Sequence, residues 1–296
     1  MVMIYMGMNR ILFVMCMAGI LLLSSCSVKE DRSGCPCWMT VDLSKVAESR
    51  WKSPERQSST EYQMVTKSLE SRQHIAESVV LRLRGNSDED EVDYAFKMTE
   101  TVNTEVGALE YEVPRGSVGV SVIGMPDRVG HDGNEIRIPV GEQMDSLYGF
   151  FRMFYTRCES VLCDVELHKE FCTVSFTLGD DGYISPYDLE VWGNVAGVSP
   201  WDLMPLEGDF RFAPSQEDGV YRVRVPRQVD NSLELVMLED SEIVDRLPLG
   251  EYITRSGYDW AAEDLADVHI ALDMEKQQVM ITVSGWDGVV VMDIVI

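Results

Sequence analysis

The chain has 296 residues, 50 of them Asp or Glu and 25 Lys or Arg, for a formal net charge of −25 at pH 7. So acidic a polymer is repelled by nucleic acid and by anionic lipid headgroups, which excludes binding driven by phosphate contacts. Hydrophobic residues make up 45% of it, enough to bury real cores, and the length suits one large domain or two of about 130 residues.

The chain opens on an apolar run, residues 11–23, that closes on Leu23-Ser24-Ser25-Cys26 and gives way at once to Ser27-Val28-Lys29-Glu30-Asp31. About 13 apolar residues are few for a bilayer span, and small residues at the end of the run are the mark of a cleaved export signal. The ending resembles a bacterial lipoprotein box. That resemblance implies a signal peptide over 1–25, lipidation of Cys26 by palmitate-type chains, and a lipidated tether over 26–34. The leader holds one basic residue and no acidic one, so its removal leaves a net charge of −26.

Beyond the tether, residues 47–73 are polar and without period, and 86–91 form an acid-rich turn. Most of the remainder alternates with period two. Val79, Leu81 and Leu83 oppose Arg82 and Arg84; Tyr94, Phe96 and Met98 follow, then Val118, Val120 and Val122. The cleanest alternation is Cys172, Val174, Phe176 and Leu178 against Thr173, Ser175 and Thr177. Tyr221, Val223 and Val225, then Leu233, Leu235 and Met237, then Val268, Ile270 and Leu272, then Val279, Ile281 and Val283 complete the series. Such runs, bounded by Gly, Asp and Pro, predict half-buried antiparallel strands. Residues 259–267 predict a short helix capped by Asp259, and 145–154 are ambiguous. Many short strands with little helix give an all-β chain of two antiparallel β-sandwich domains in tandem, 35–160 and 161–296.

Seven cysteines are present. With Cys16 in the leader and Cys26 lipidated, an odd number remains in an oxidising compartment. A disulfide between Cys158 and Cys163, or buried free thiols, are the readings for the central group. Cys158, Cys163, His168 and Cys172 also form the best zinc candidate, but their spacing fits no common zinc motif, and no metal is expected. Residues 131–135 and 179–182 look like fragments of calcium loops without the further ligands of a cage. Turns use the same residues for backbone reasons. There is no G-x-S-x-G elbow, P-loop, H-E-x-x-H or G-x-G-x-x-G, so neither an enzyme nor a cofactor is expected.

The C-terminal Val289, Val290, Val291, Met292, Ile294, Val295 and Ile296 are apolar on both faces around Asp293. Left exposed, such a strand aggregates. Either it is a covered strand of its own domain or it is inserted into a partner subunit by strand addition.

Taken together, 26–37 with the strand from Trp38, Val225-Pro226-Arg227-Gln228, Gly257-Tyr258-Asp259-Trp260, Asp264-Leu265-Ala266-Asp267-Val268 and Ile281-Thr282-Val283-Ser284-Gly285-Trp286 resemble the FimB-type fimbrial anchor lipoproteins of Bacteroides-like bacteria. The order and spacing of these blocks carry the likeness, and the 47–73 segment departs from it. The resemblance implies transthyretin-like sandwiches and a lipid-anchored base on the cell outer membrane. It also implies a partner among fimbrillin shaft or accessory subunits, and a surface-export signal at Lys29, Glu30 and Asp31. A surface glycan-binding lipoprotein of a polysaccharide uptake system is the alternative, with Trp38, Trp51, Trp192, Trp201, Trp260 and Trp286 as platform residues.

Overall fold

In the computed structural model of the chain, the described residues are 37–48, 78–86, 96–124, 135–179, 185–273, 278–285 and 288–293. All lie in the compact unit Pro36–Ile296. Alternation in the sequence becomes alternation in burial. In β10 (Phe171–Leu178), Cys172, Val174, Phe176 and Leu178 are buried while Thr173 and Thr177 are half-exposed. In β17 (Val268–Asp273) and β18 (Gln278–Val283) every second residue is buried. Each is a strand with one face on a core.

The fold is all-β, and the described strands are arranged as four sheets. A three-stranded sheet has β1 (Cys37–Asp42) at its centre, antiparallel to β4 (Ala108–Val113) and parallel to β8 (Ser160–Asp164). A five-stranded antiparallel sheet runs β3 (Phe96–Asn103), β2 (Ser78–Asn86), β5 (Ser117–Gly124), β7 (Tyr148–Tyr155), β9 (His168–Lys169). A six-stranded sheet runs β13 (Ser215–Glu217), β14 (Val220–Pro226), β10, β17, β18, β19 (Val290–Asp293), with β10 and β17 parallel. The last sheet runs β12 (Pro205–Phe212), β11 (Asp188–Val198), β15 (Glu234–Glu239), β16 (Glu242–Leu247). Its β11 also pairs with the short β6 (Ile136–Arg137), which precedes β7 in the chain. Strand pairing thus passes from the first two sheets to the last two after Lys169, while 136–138 reaches forward. Buried apolar residues of all four sheets form one connected cluster.

Of the ambiguous 145–154 segment, 148–154 lie in β7 and 145–147 lead into it without regular structure. The helix expected at 259–267 does not form. Asp259 caps a turn instead, accepting from the Ala261 N–H at 2.8 Å. The carbonyls a helix would need at Trp260 and Ala262 are taken by the Arg227 guanidinium at 2.5 and 2.7 Å. Apart from the short α1 (Ser44–Glu48), the α-helix of the described residues is α2, Leu249–Arg255, whose Leu249, Tyr252 and Ile253 are buried. Among the described residues no helix is long and apolar enough to cross a membrane.

Candidate functional site

Four of the blocks that carry the sequence resemblance converge where the first pair of sheets meets the second. Arg227, just past β14, extends its guanidinium to Glu170 at 3.0 Å and to the carbonyls of Trp260 and Ala262. The Glu170 side chain is 9% exposed. Burial drives its carboxyl above the ordinary carboxylate range, and the Arg227 charge only partly offsets this. Lys169 lies beside it on β9. Its ammonium meets Asp267 Oδ1 at 2.5 Å and rests 4.6 Å from the centroid of the Phe171 ring. The same Asp267 oxygen accepts from the Thr173 N–H at 2.8 Å, tying β10 to the segment that enters β17. Asp264 accepts from the Lys169 N–H at 2.8 Å and meets His168 Nδ1 at 3.2 Å; His168 Nε2 meets Glu263 at 3.2 Å. Tyr258 donates to the Ala266 carbonyl at 2.7 Å and packs edge-on against Trp260. From the last block, Ser284 N–H bonds the Asp267 carbonyl at 2.8 Å.

This knot can do mechanical work rather than chemistry. Each charge in it is engaged by an opposite charge or by backbone, so the residues before β10 and those before β17 are fastened together. Cys172 lies in the same region, fully buried, with its thiol pushed up to about 12 chiefly by desolvation. Such a thiol is neither a nucleophile nor a ready metal ligand.

The other sequence-predicted residues distribute as follows. Cys26, Lys29, Glu30 and Asp31 lie outside the described residues, as do Ile294, Val295 and Ile296. Cys158 is exposed ahead of β8, with its thiol 3.2 Å from the Ser160 carbonyl; Cys163 is buried within the strand, its thiol pushed up to about 12 by desolvation. Cys158 lies in a bend ahead of the strand and Cys163 is its fourth residue. The structure does not bring this pair together, and both thiols are free. Nor does it assemble the zinc candidate: His168 is occupied by Asp264 and Glu263, and no group of three or more His, Cys, Asp or Glu among the described residues is placed to hold a metal. Of the calcium-loop fragments, only Glu135 and Gly179 are among the described residues.

The C-terminal residues Val290–Asp293 pair antiparallel with β18 as the last strand of the six-stranded sheet. Met292 packs on the core, whereas Val289 and Val291 are 54% and 56% exposed. The strand is therefore an apolar edge with one neighbour among the described residues, not a covered central strand. A second apolar edge is β16, where Ile243 and Val244 are exposed.

The four described tryptophans, Trp38, Trp192, Trp201 and Trp260, make separate contacts. Trp192 has its ring 4.2 Å from Arg211 and 4.9 Å from Arg246, and its indole N–H bonds Glu190 at 2.6 Å. Trp260 packs on Tyr258, Trp201 lies by Arg82, and Trp38 stands exposed on β1. Trp51 and Trp286 lie outside the described residues.

No family model matches the chain, and no curated protein matches it. Among solved structures, a candidate polysaccharide-binding protein of Bacteroides thetaiotaomicron shares the fold at a TM-score of 0.52 and 14% identity, over 87% of this chain and 98% of that one. A candidate adhesin from Bacteroides ovatus aligns at 0.46 and 14% identity, over 89% and 97% of the two chains. The fimbrial anchor protein Mfa2 from Porphyromonas gingivalis aligns at 0.46 and 9% identity, over 88% and 100%.

Proposed function

We propose that the chain is a non-enzymatic lipoprotein of the outer membrane, facing the cell exterior, that anchors or assembles a fimbrial polymer. In this reading Cys26 carries the acyl chains, and Lys29, Glu30 and Asp31 direct export to the outer face. The four sheets are two sandwich domains joined at the Arg227 knot. The apolar edge beginning at Val289 docks a fimbrillin by strand addition. The observation that carries the reading is a convergence: blocks far apart in sequence that resemble those of fimbrial anchors meet at one junction. An edge with two exposed valines supports the docking step, because main-chain pairing there adds hydrogen bonds while burying apolar surface. Burying the half of each valine that is still exposed contributes roughly half of the 1.5–3 kcal/mol that full burial of such a side chain is worth.

The test is a pull-down of the tagged protein from its native outer membrane, with and without residues 289–296, read by mass spectrometry. A fimbrillin that is recovered with the intact chain and lost on truncation, while the truncated chain keeps its unfolding transition, supports the proposal. Recovery of a glycan-uptake porin and no fimbrillin overturns it. That outcome favours the second reading, a glycan-binding lipoprotein, for which exposed Trp38 and the description of the Bacteroides thetaiotaomicron neighbour speak. Its check is saturable quenching of tryptophan fluorescence by sugars.

A further inference from the structure

Arg82 sits in the middle of β2 and is 1% exposed. Neither Nη1 nor Nη2 of its guanidinium has a hydrogen-bond partner among the described residues. Its one contact of note is the Trp201 ring, whose centroid is 5.9 Å from Cζ. Cross-strand pairing sets Thr99 and Ser121 on either side of it, with Phe151 beyond Ser121. An unpaired buried charge costs several kcal/mol, and a methionine of similar volume in its place avoids that cost. Retention of a guanidinium there calls for an acceptor.

The neighbouring residues show which acceptor the position suits. Arg84, two residues along on the same face, has a carboxylate: Asp202 at 3.1 Å. Asp202 belongs to the turn 199–204, which comes from the second pair of sheets and lies across the face of β2 and β5. Ser121 donates to the Pro200 carbonyl at 2.8 Å, and the Leu203 N–H bonds the Ser199 carbonyl at 2.9 Å. Leu203 is held at φ +59°, a left-handed conformation that a leucine adopts only under constraint. Its Cδ1 would lie 2.7 Å from a Cβ at position 149, so the glycine there leaves room for the leucine side chain under the turn. The turn thus brings a carboxylate to Arg84 on this face.

We propose that Arg82 is the floor of a site for a carboxylate-bearing small ligand, closed by the turn 199–204. The guanidinium fork matches a carboxylate with two parallel N–H···O bonds, the geometry a lysine does not offer. In so acidic a chain an exposed anion site is weakened by the surrounding charge, whereas a dry one carries its own local field. Trp201 is half-exposed and Met204 is 61% exposed, so the outer side of the turn faces solvent. The ligand enters as the turn lifts, and Trp201 reports the event. A free organic acid and an acidic sugar share this chemistry.

The experiment uses the full mature chain at constant ionic strength. Sodium acetate, sodium glucuronate, glucose, sodium sulfate and sodium chloride are titrated separately, following tryptophan fluorescence and the thermal unfolding midpoint. A saturable response to glucuronate or acetate is expected, weakened at least tenfold in Arg82→Met and in Arg82→Lys. Without anion, Arg82→Met is expected to unfold at or above the wild-type midpoint, because the unpaired charge is gone. Equal response to acetate and glucuronate assigns a carboxylate site, and response to glucuronate alone assigns an acidic sugar. No saturable carboxylate response from the wild type, an equal response to chloride and sulfate, or an unchanged response in both variants overturns the proposal. Arg82→Lys keeps the charge and decides the matter if Arg82→Met does not fold.

Discussion

Replacing Arg227 by methionine tests whether the knot at the sheet junction fastens the fold. The substitution keeps most of the side-chain volume and removes the cation. It leaves the Glu170 carboxylate, 9% exposed, with no guanidinium, and strips the donor from the Trp260 and Ala262 carbonyls. Breaking a buried pair from one side costs about 3–5 kcal/mol, most of it the stranded charge. The penalty carries a pH signature. Glu170 already titrates above its ordinary 4.5 in the folded state, because desolvation outweighs Arg227. Without Arg227 it titrates higher still. A carboxyl raised on folding contributes stability that is fully present below 4.5 and is lost as pH rises through the folded value. The deficit of the variant against wild type is therefore smallest at and below pH 4.5 and grows as pH rises through the folded value. Guanidinium chloride unfolding followed by tryptophan fluorescence at several pH values measures it, and the double variant Glu170→Gln, Arg227→Met should regain a large part of the loss. A deficit below about 1 kcal/mol that is flat with pH, with the two substitutions additive, would refute the reasoning.

Other outcomes follow from single positions. Gly197→Ala sets a methyl against the Ile136 carbonyl across the β6–β11 pair, so it should destabilise by about 2 kcal/mol and speed hydrogen exchange of the Ile138 amide, which bonds Ala196 at 2.9 Å. His269 titrates below its ordinary 6.5 through burial and the nearby Arg222. Its share of stability is present above 6.5 and lost as pH falls through the lower folded value, and His269→Gln should flatten the stability curve in that window. Val291→Lys, at an exposed edge position, should change stability by no more than about 0.5 kcal/mol yet abolish co-purification with a fimbrillin. Retained co-purification counts against the tail as the joint.

The strands with one buried face were legible because period two is a direct record of burial: β10, β17 and β18 alternate in the structure as they do in the sequence. Strands that break the period were not. In β11 the register shifts twice, after Gly193 and after Val195. In β16 residues 242–246 are all exposed at an edge, so neither face is marked. At 259–267 local propensity pointed to a helix, and a guanidinium more than 30 residues away took its carbonyls. The knot itself was hidden for the same reason: Lys169 and Asp267 lie 98 residues apart, and neither stands in a motif with the other. The tail was visible as an apolar strand, but pairing at the end of the sheet is decided by the neighbour it finds.

The parallel pairs bear on the order in which the molecule can be completed. Trp38 in β1 is in register with Ser160 in β8. Val174 in β10 likewise waits for Val268 in β17. A chain that emerges from its N terminus thus presents β1 with one side open until about 120 more residues have followed, and at roughly 5–20 residues per second that interval lasts many seconds. The antiparallel neighbour β4 closes only one flank in the meantime. With β6 held back for β11 as well, the first half is finished only after much of the second has been made. The exposed flank of β1 is then the place where a holding factor has most to protect during biogenesis, and where a nascent chain stalled before residue 160 should aggregate.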